Sequence, residues 1–150
     1  MDVLWVIHRP FVEVLQHCID RVAASGVSQR VLLIEDYSTL DEAGREALIT
    51  EPLLTAFQLQ PVIIVWCLHV GNPGVYHHYQ NAPARLNIIL EHDLFSTEPE
   101  GGVATQNPHE LLIFTRQHWM SRLAFSAPGR VFTPTRWYKV DAYLRQDAQR

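Results

Sequence analysis

The sequence has little lysine, little cysteine and no long apolar run. Lys139 is its one lysine, within a Lys plus Arg total of 12 and a net charge of −4. Duplex binding draws most of its affinity from Lys and Arg neutralising phosphates, and no basic cluster is present, so a nucleic-acid partner is excluded. The two cysteines, Cys18 and Cys67, both lie inside apolar segments. They read as small buried hydrophobes rather than a disulfide framework, and a reducing compartment is the default. No stretch approaches the ~20 apolar residues of a membrane span. The N-terminus has Asp2 where a secretion signal wants a positive charge. A soluble, cytoplasmic protein is expected.

Chemical motifs are also scarce. Gly71-Asn72-Pro73-Gly74 has the place of a phosphate loop, but Pro73 has no amide hydrogen for an anion and the spacing matches neither nucleotide fingerprint. No Gly-x-Ser-x-Gly elbow, Cys-x-x-Cys or His-Glu-x-x-His accompanies the eight histidines. Accordingly no catalytic residue, metal ligand or cofactor is assigned.

What is present is architecture. A chain of 150 residues, 47% hydrophobic, suits one domain with a proper core. The most informative stretch is 31–68. The apolar run Val31–Ile34 ends in Glu35-Asp36, a helical pattern opens at Asp41, and a second apolar run, Val62–Leu68, closes the unit. Runs apolar on both faces suit strands covered on both sides. The spacing predicts strand–helix–strand, with the two strands side by side as a parallel pair.

Other elements follow from periodicity. Val3–Ile7 reads as a short buried strand. Phe11, Val14, Leu15, Cys18, Ile19 and Val22 form a helical stripe, ended by Gly26 in the left-handed position. Thr39 and Glu42 suggest a capping box for the next helix, which turns Leu40, Ala43, Ala47 and Leu48 inward. Pro52 is expected to kink or restart it, and Leu53, Leu54 and Phe57 to continue its buried face. Asn72-Pro73 caps a short helix over Val75–Asn81, and Asn87–Leu90 is a fourth strand. Asn107-Pro108-His109-Glu110 predicts a long helix to about Phe125. Beyond residue 127, Val131-Phe132 suggests an appended edge strand, and Trp137, Val140 and Leu144 a final helix. The whole predicts a single α/β domain with four or five mostly parallel strands flanked by helices.

The acid after a strand at Asp36, followed by Asp41-Glu42-Ala43-Gly44 with Leu48 and then by the Val62–Leu68 strand, resembles the STAS (anti-sigma-factor-antagonist-like) family over roughly residues 28–125. The family's phosphoacceptor hydroxyl falls on Ala43, so phosphorylation at that turn is not implied. The resemblance implies a non-catalytic bacterial regulatory module that binds a protein partner or a small apolar ligand. A homodimer through apolar helix faces fits the same picture.

The candidate working surface is the pair of strand ends: Asp36, Asp41, Glu42 and Gly44 on one side, and His69, Asn72, Tyr76, His77 and Tyr79 on the other. Ligands bind at strand C-terminal ends in open α/β sheets. Glu35, Asp36 and Asp41 can shift one another's protonation or hold a divalent cation, or Asp36 can cap a turn and Asp41 a helix. His69 and His92 follow neighbouring strands, whereas His77 and His78 are adjacent and expected to diverge on a helix. Tyr76 and Tyr79 are expected at the surface, and Trp66 in the core. Two alternatives stand beside the binding module. One is a small metal-dependent hydrolase using Asp36, Asp41 and His69. The other is an assembly subunit whose aromatic tail a partner buries.

Overall fold

The computed structural model describes residues 1–68, 74–90, 110–113 and 131–132. Its strands are β1 (Val3–His8), β2 (Gln29–Ile34), β3 (Ile63–Cys67), β4 (Leu86–Leu90), β5 (Glu110–Ile113) and β6 (Val131–Phe132). Its helices are α1 (Val12–Ala24), α2 (Glu42–Phe57) and α3 (Tyr76–Gln80). All six strands join one sheet in the order β2-β1-β3-β4-β5-β6, and every pairing is parallel. The predicted α/β class and parallel sheet are what the chain adopts. Four strands, β1 to β4, form the body, and the short β5 and β6 extend one edge.

One expectation about neighbours is corrected. β2 and β3 run in the same direction in one sheet, but they do not pair. Both pair with β1, which lies between them. β1 is buried at all six positions, so it takes the place where both faces are covered. Among the described residues β2 is therefore the terminal strand, and the acids after it stand at the sheet's margin. An order beginning 2-1-3-4-5 is one of the two common doubly wound arrangements.

Alternation along β1 divides the core into two layers. Leu4 and Val6 face α2 and α3, packing with Ile49, Leu53, Ile64, Trp66, Val75 and Tyr79. Val3, Trp5 and Ile7 face α1, packing with Leu15, Ile19, Val65 and Cys67. In the first layer the Trp66 indole N–H donates to the Asn87 side-chain oxygen at 3.0 Å, so the one buried amide on β4 brings its own partner.

Helix α1 behaves as its stripe predicts. It ends with Gly26 at φ +80°, whose amide reaches back to the Ala23 carbonyl. Helix α2 departs in three ways. Asp41, not Thr39, caps it, accepting from the Gly44 amide at 2.8 Å. Pro52 sits inside one continuous helix. Its buried face is Ile49, Leu53 and Ala56, while Leu40, Ala43, Ala47 and Leu54 are exposed. Alanines carry too little apolar area to fix which face turns inward.

Glu110–Ile113, predicted to open a helix, is a strand paired with β4. Short apolar runs such as Leu111-Leu112-Ile113 suit either state, and a cap-like prelude misleads when a sheet edge is waiting. Val131-Phe132 forms the predicted edge strand, beside β5. The remainder of the predicted helix to Phe125, and the final helix around Trp137, lie outside the described residues.

Candidate functional site

A polar network lies at the C-terminal edge of the sheet. β1 ends in His8, and register places His8 opposite Ile34, two residues before Asp36. The imidazole is buried, stacked on the Tyr37 ring at 4.2 Å and met edge-on by Phe11 at 5.6 Å. Its Nε2 lies 3.0 Å from Asp36 Oδ1. The Tyr37 amide points at the same nitrogen from 3.4 Å. One nitrogen cannot donate and accept together, and the shorter contact assigns the proton to Nε2, donating to Asp36.

Asp36 has other donors. The Ser38 amide donates to Oδ1 at 3.0 Å, and the Ser38 hydroxyl donates to the same oxygen. This is an aspartate holding its own turn. These two bonds, more than the histidine behind it, hold the Asp36 carboxyl below its ordinary pKa. The side chain nonetheless stays 56% exposed. Asp36 is thus a fixed anion, tied on one side and open on the other.

Beside it, Arg9 grips Glu35 through both carboxylate oxygens, at 2.6 and 2.8 Å. That fork raises the arginine's pKa and lowers the glutamate's. It joins the ends of β1 and β2, but both groups are about half exposed, so solvent screens most of its worth. The Arg45 guanidinium lies over the Tyr37 ring, 5.6 Å from its centroid.

The sequence-predicted residues divide. Asp36 is at the centre. Asp41, Glu42 and Gly44 form the first turn of α2, where Asp41 serves as a cap. Gly44 Cα packs so closely that an added Cβ would lie 3.2 Å from Asp41 Oδ1. His77 is exposed and lies 3.9 Å from Glu46 of α2. Tyr79, expected at the surface, is fully buried and meets Trp66 edge-on at 5.6 Å. The tyrosine ring belongs to the core layer on the α2 side. His77 and His78, expected to diverge, have ring centroids 3.8 Å apart. His78 is buried with Nε2 3.0 Å from the Thr50 hydroxyl. Tyr76 belongs to α3 by its backbone. His69 and Asn72 lie outside the described residues.

The sequence pattern missed His8, Arg9, Ser38 and Arg45. Only the β1–β2 register brings His8 to Asp36, across 28 positions of chain. Ser38 had a local signal, an Asp-x-Ser turn directly after a strand. Among the described residues no three metal-ligating side chains converge. Comparison with protein-family models, with curated proteins and with solved structures found no match.

Proposed function

We propose that this chain is a non-catalytic recognition module that engages a protein partner at the C-terminal edge of its sheet, with Asp36 as the anchor. One observation carries this. The Asp36 carboxylate is exposed on one side and held on the other by Ser38 and His8. A prefixed anion loses little freedom on binding, so it suits a basic side chain of a partner.

The direction of the Ser38 bond supports binding over nucleophilic catalysis. An activated serine donates to a histidine base. Here the hydroxyl donates to Asp36, and the carboxylate oxygen stands between Ser38 and His8. Asp41, the second acid of the hydrolase alternative, is engaged with the Gly44 amide. The resemblance to STAS-like modules, which bind protein partners, points the same way.

Affinity capture from the native host tests the proposal, with three baits: the native chain, Asp36→Lys, and Arg21→Glu as a control on exposed α1. The expected result is a co-purifying protein retained by the native chain and Arg21→Glu and lost with Asp36→Lys. Identical capture by all three baits overturns it. So does near-stoichiometric bound metal together with a hydrolytic activity lost in Asp41→Asn.

A further inference from the structure

A second surface lies along the outer margin of β2. β2 pairs with β1 and, among the described residues, with nothing on its other side. The Val3 amide donates to the Ser28 carbonyl. Parallel ladder geometry then turns the backbone groups of Arg30, Leu32 and Ile34 toward β1. The N–H and C=O groups of Gln29, Val31 and Leu33 face outward. Val31 is an exposed apolar residue at the middle of this row.

Above the margin, the flank of α2 overhangs the strand and leaves a groove of ≈ 790 Å³. Arg30, Val31 and Leu32 line it from β2, and Glu51, Ala56 and Leu59 from α2 and its end. Arg30 and Glu51 are both exposed and form no ion pair with any described residue. The groove therefore carries one cation and one anion that no described residue engages in an ion pair.

We infer that this margin binds a second copy of the chain, β2 against β2 in antiparallel pairing about a two-fold axis at Val31. A two-fold contact needs a surface complementary to itself. Pairing about Val31 sets Val31 against Val31 of the second copy, joined by two backbone hydrogen bonds. Gln29 then opposes Leu33, and Arg30 opposes Leu32.

The charges fall into place with the same register. Leu32 and Glu51 line the same groove. Pairing about Val31 sets Arg30 of the second copy against Leu32, and so brings it to the groove that holds Glu51. Each Arg30 meets the other copy's Glu51, and the two-fold makes both pairs at once. A register centred on Gln29 or Leu33 sets Arg30 against Ser28 or Asp36 instead, away from the residues that line the groove.

Analytical ultracentrifugation of the full chain, from micromolar to near-millimolar concentration, tests the arrangement. The native chain is expected to reach twice the monomer mass. Arg30→Glu and Glu51→Arg should each raise the dimer dissociation constant about tenfold, and the double variant should restore it. Val31→Pro should abolish the dimer. The Val31 N–H is not used within its own sheet, so proline is tolerated there as at other edges, and circular dichroism checks that the fold is kept. A chain monomeric at every concentration overturns the inference and leaves the groove to a foreign extended strand. A dimer indifferent to Val31→Pro, or a double variant no tighter than the singles, also overturns it.

Discussion

At Asp36 the carboxylate equilibrium is displaced by hydrogen bonds rather than by burial. Ser38 supplies the main part through its hydroxyl and amide, and His8 a smaller one. A depressed carboxyl pKa contributes stability that is present above the ordinary value of 3.8 and lost as the pH falls through the lowered one. Ser38→Ala removes the larger cause. A carbon-detected NMR titration of the Asp36 carboxyl should show a midpoint below 3.8 in the native chain and a return toward it in the variant. An unmoved midpoint would show that Ser38 does not hold the carboxylate. The sequence marked Asp36 because an acid directly after an apolar strand sits where ligands bind. It did not mark His8, which looks like the polar end of a buried strand. Its chemistry comes from a partner 28 residues away, and pairing across strands has no local signature.

Caps and short helices are where elements meet, and two such junctions make testable claims. Asp41 holds the first turn of α2 by accepting from Gly44. Asp41→Ala should cost about 1 kcal/mol, a fall in melting temperature of about 2–4 °C for a chain of this size. Asp41→Asn, which keeps an accepting oxygen, should change it little. Equal losses in both variants would assign the charge, not the cap, as the working feature. At the second junction His78 of α3 is buried against Thr50 of α2. Burial, aided by the neighbouring His77 and opposed by Glu46, holds its pKa below the ordinary 6.5. The unfolded chain therefore takes up a proton that the folded chain resists. Stability should be level above about pH 6.5 and decline as the pH falls below it, until His78 protonates in the folded state. Urea midpoints measured across that range should flatten in His78→Gln, and an equally sloped variant would remove His78 as the cause. Elements with long periodic stripes, such as α1, are legible from sequence because many residues agree. Glu110–Ile113 is not, since four residues carry no period and the sheet edge decides their state. Likewise the inward face of α2 is chosen by Ile49, Leu53 and Ala56 against the sheet, not by the alanines that precede them.

For the molecule as a whole the deciding feature is that β1 belongs to both core layers. The sequence displayed two apolar runs flanking a helix and so predicted them as neighbours. It gave no reason to insert a third strand, because the order of parallel strands is set by which of them can be covered on both faces. β1, apolar at five of its six positions and buried at all of them, meets that condition best. Its consequence is mechanical coupling. Trp5 stands in the α1 layer and Trp66 in the α2 layer, yet Trp5 pairs in register with Val65, the neighbour of Trp66. Neither layer can be lost while β1 keeps its hydrogen bonds on both sides, and β1 cannot leave without opening both. The two layers should therefore unfold together, as small single cores do. Fluorotryptophan labelling resolves each indole separately by fluorine NMR, so the Trp5 and Trp66 signals can be followed through one urea titration. They should disappear at the same midpoint, with Val6→Ala and Ile7→Ala each moving both signals equally, by a loss of about 1–4 kcal/mol. Should Ile7→Ala shift the Trp5 midpoint and leave Trp66 in place, the sheet would be two stacked halves that share a strand without sharing a fate.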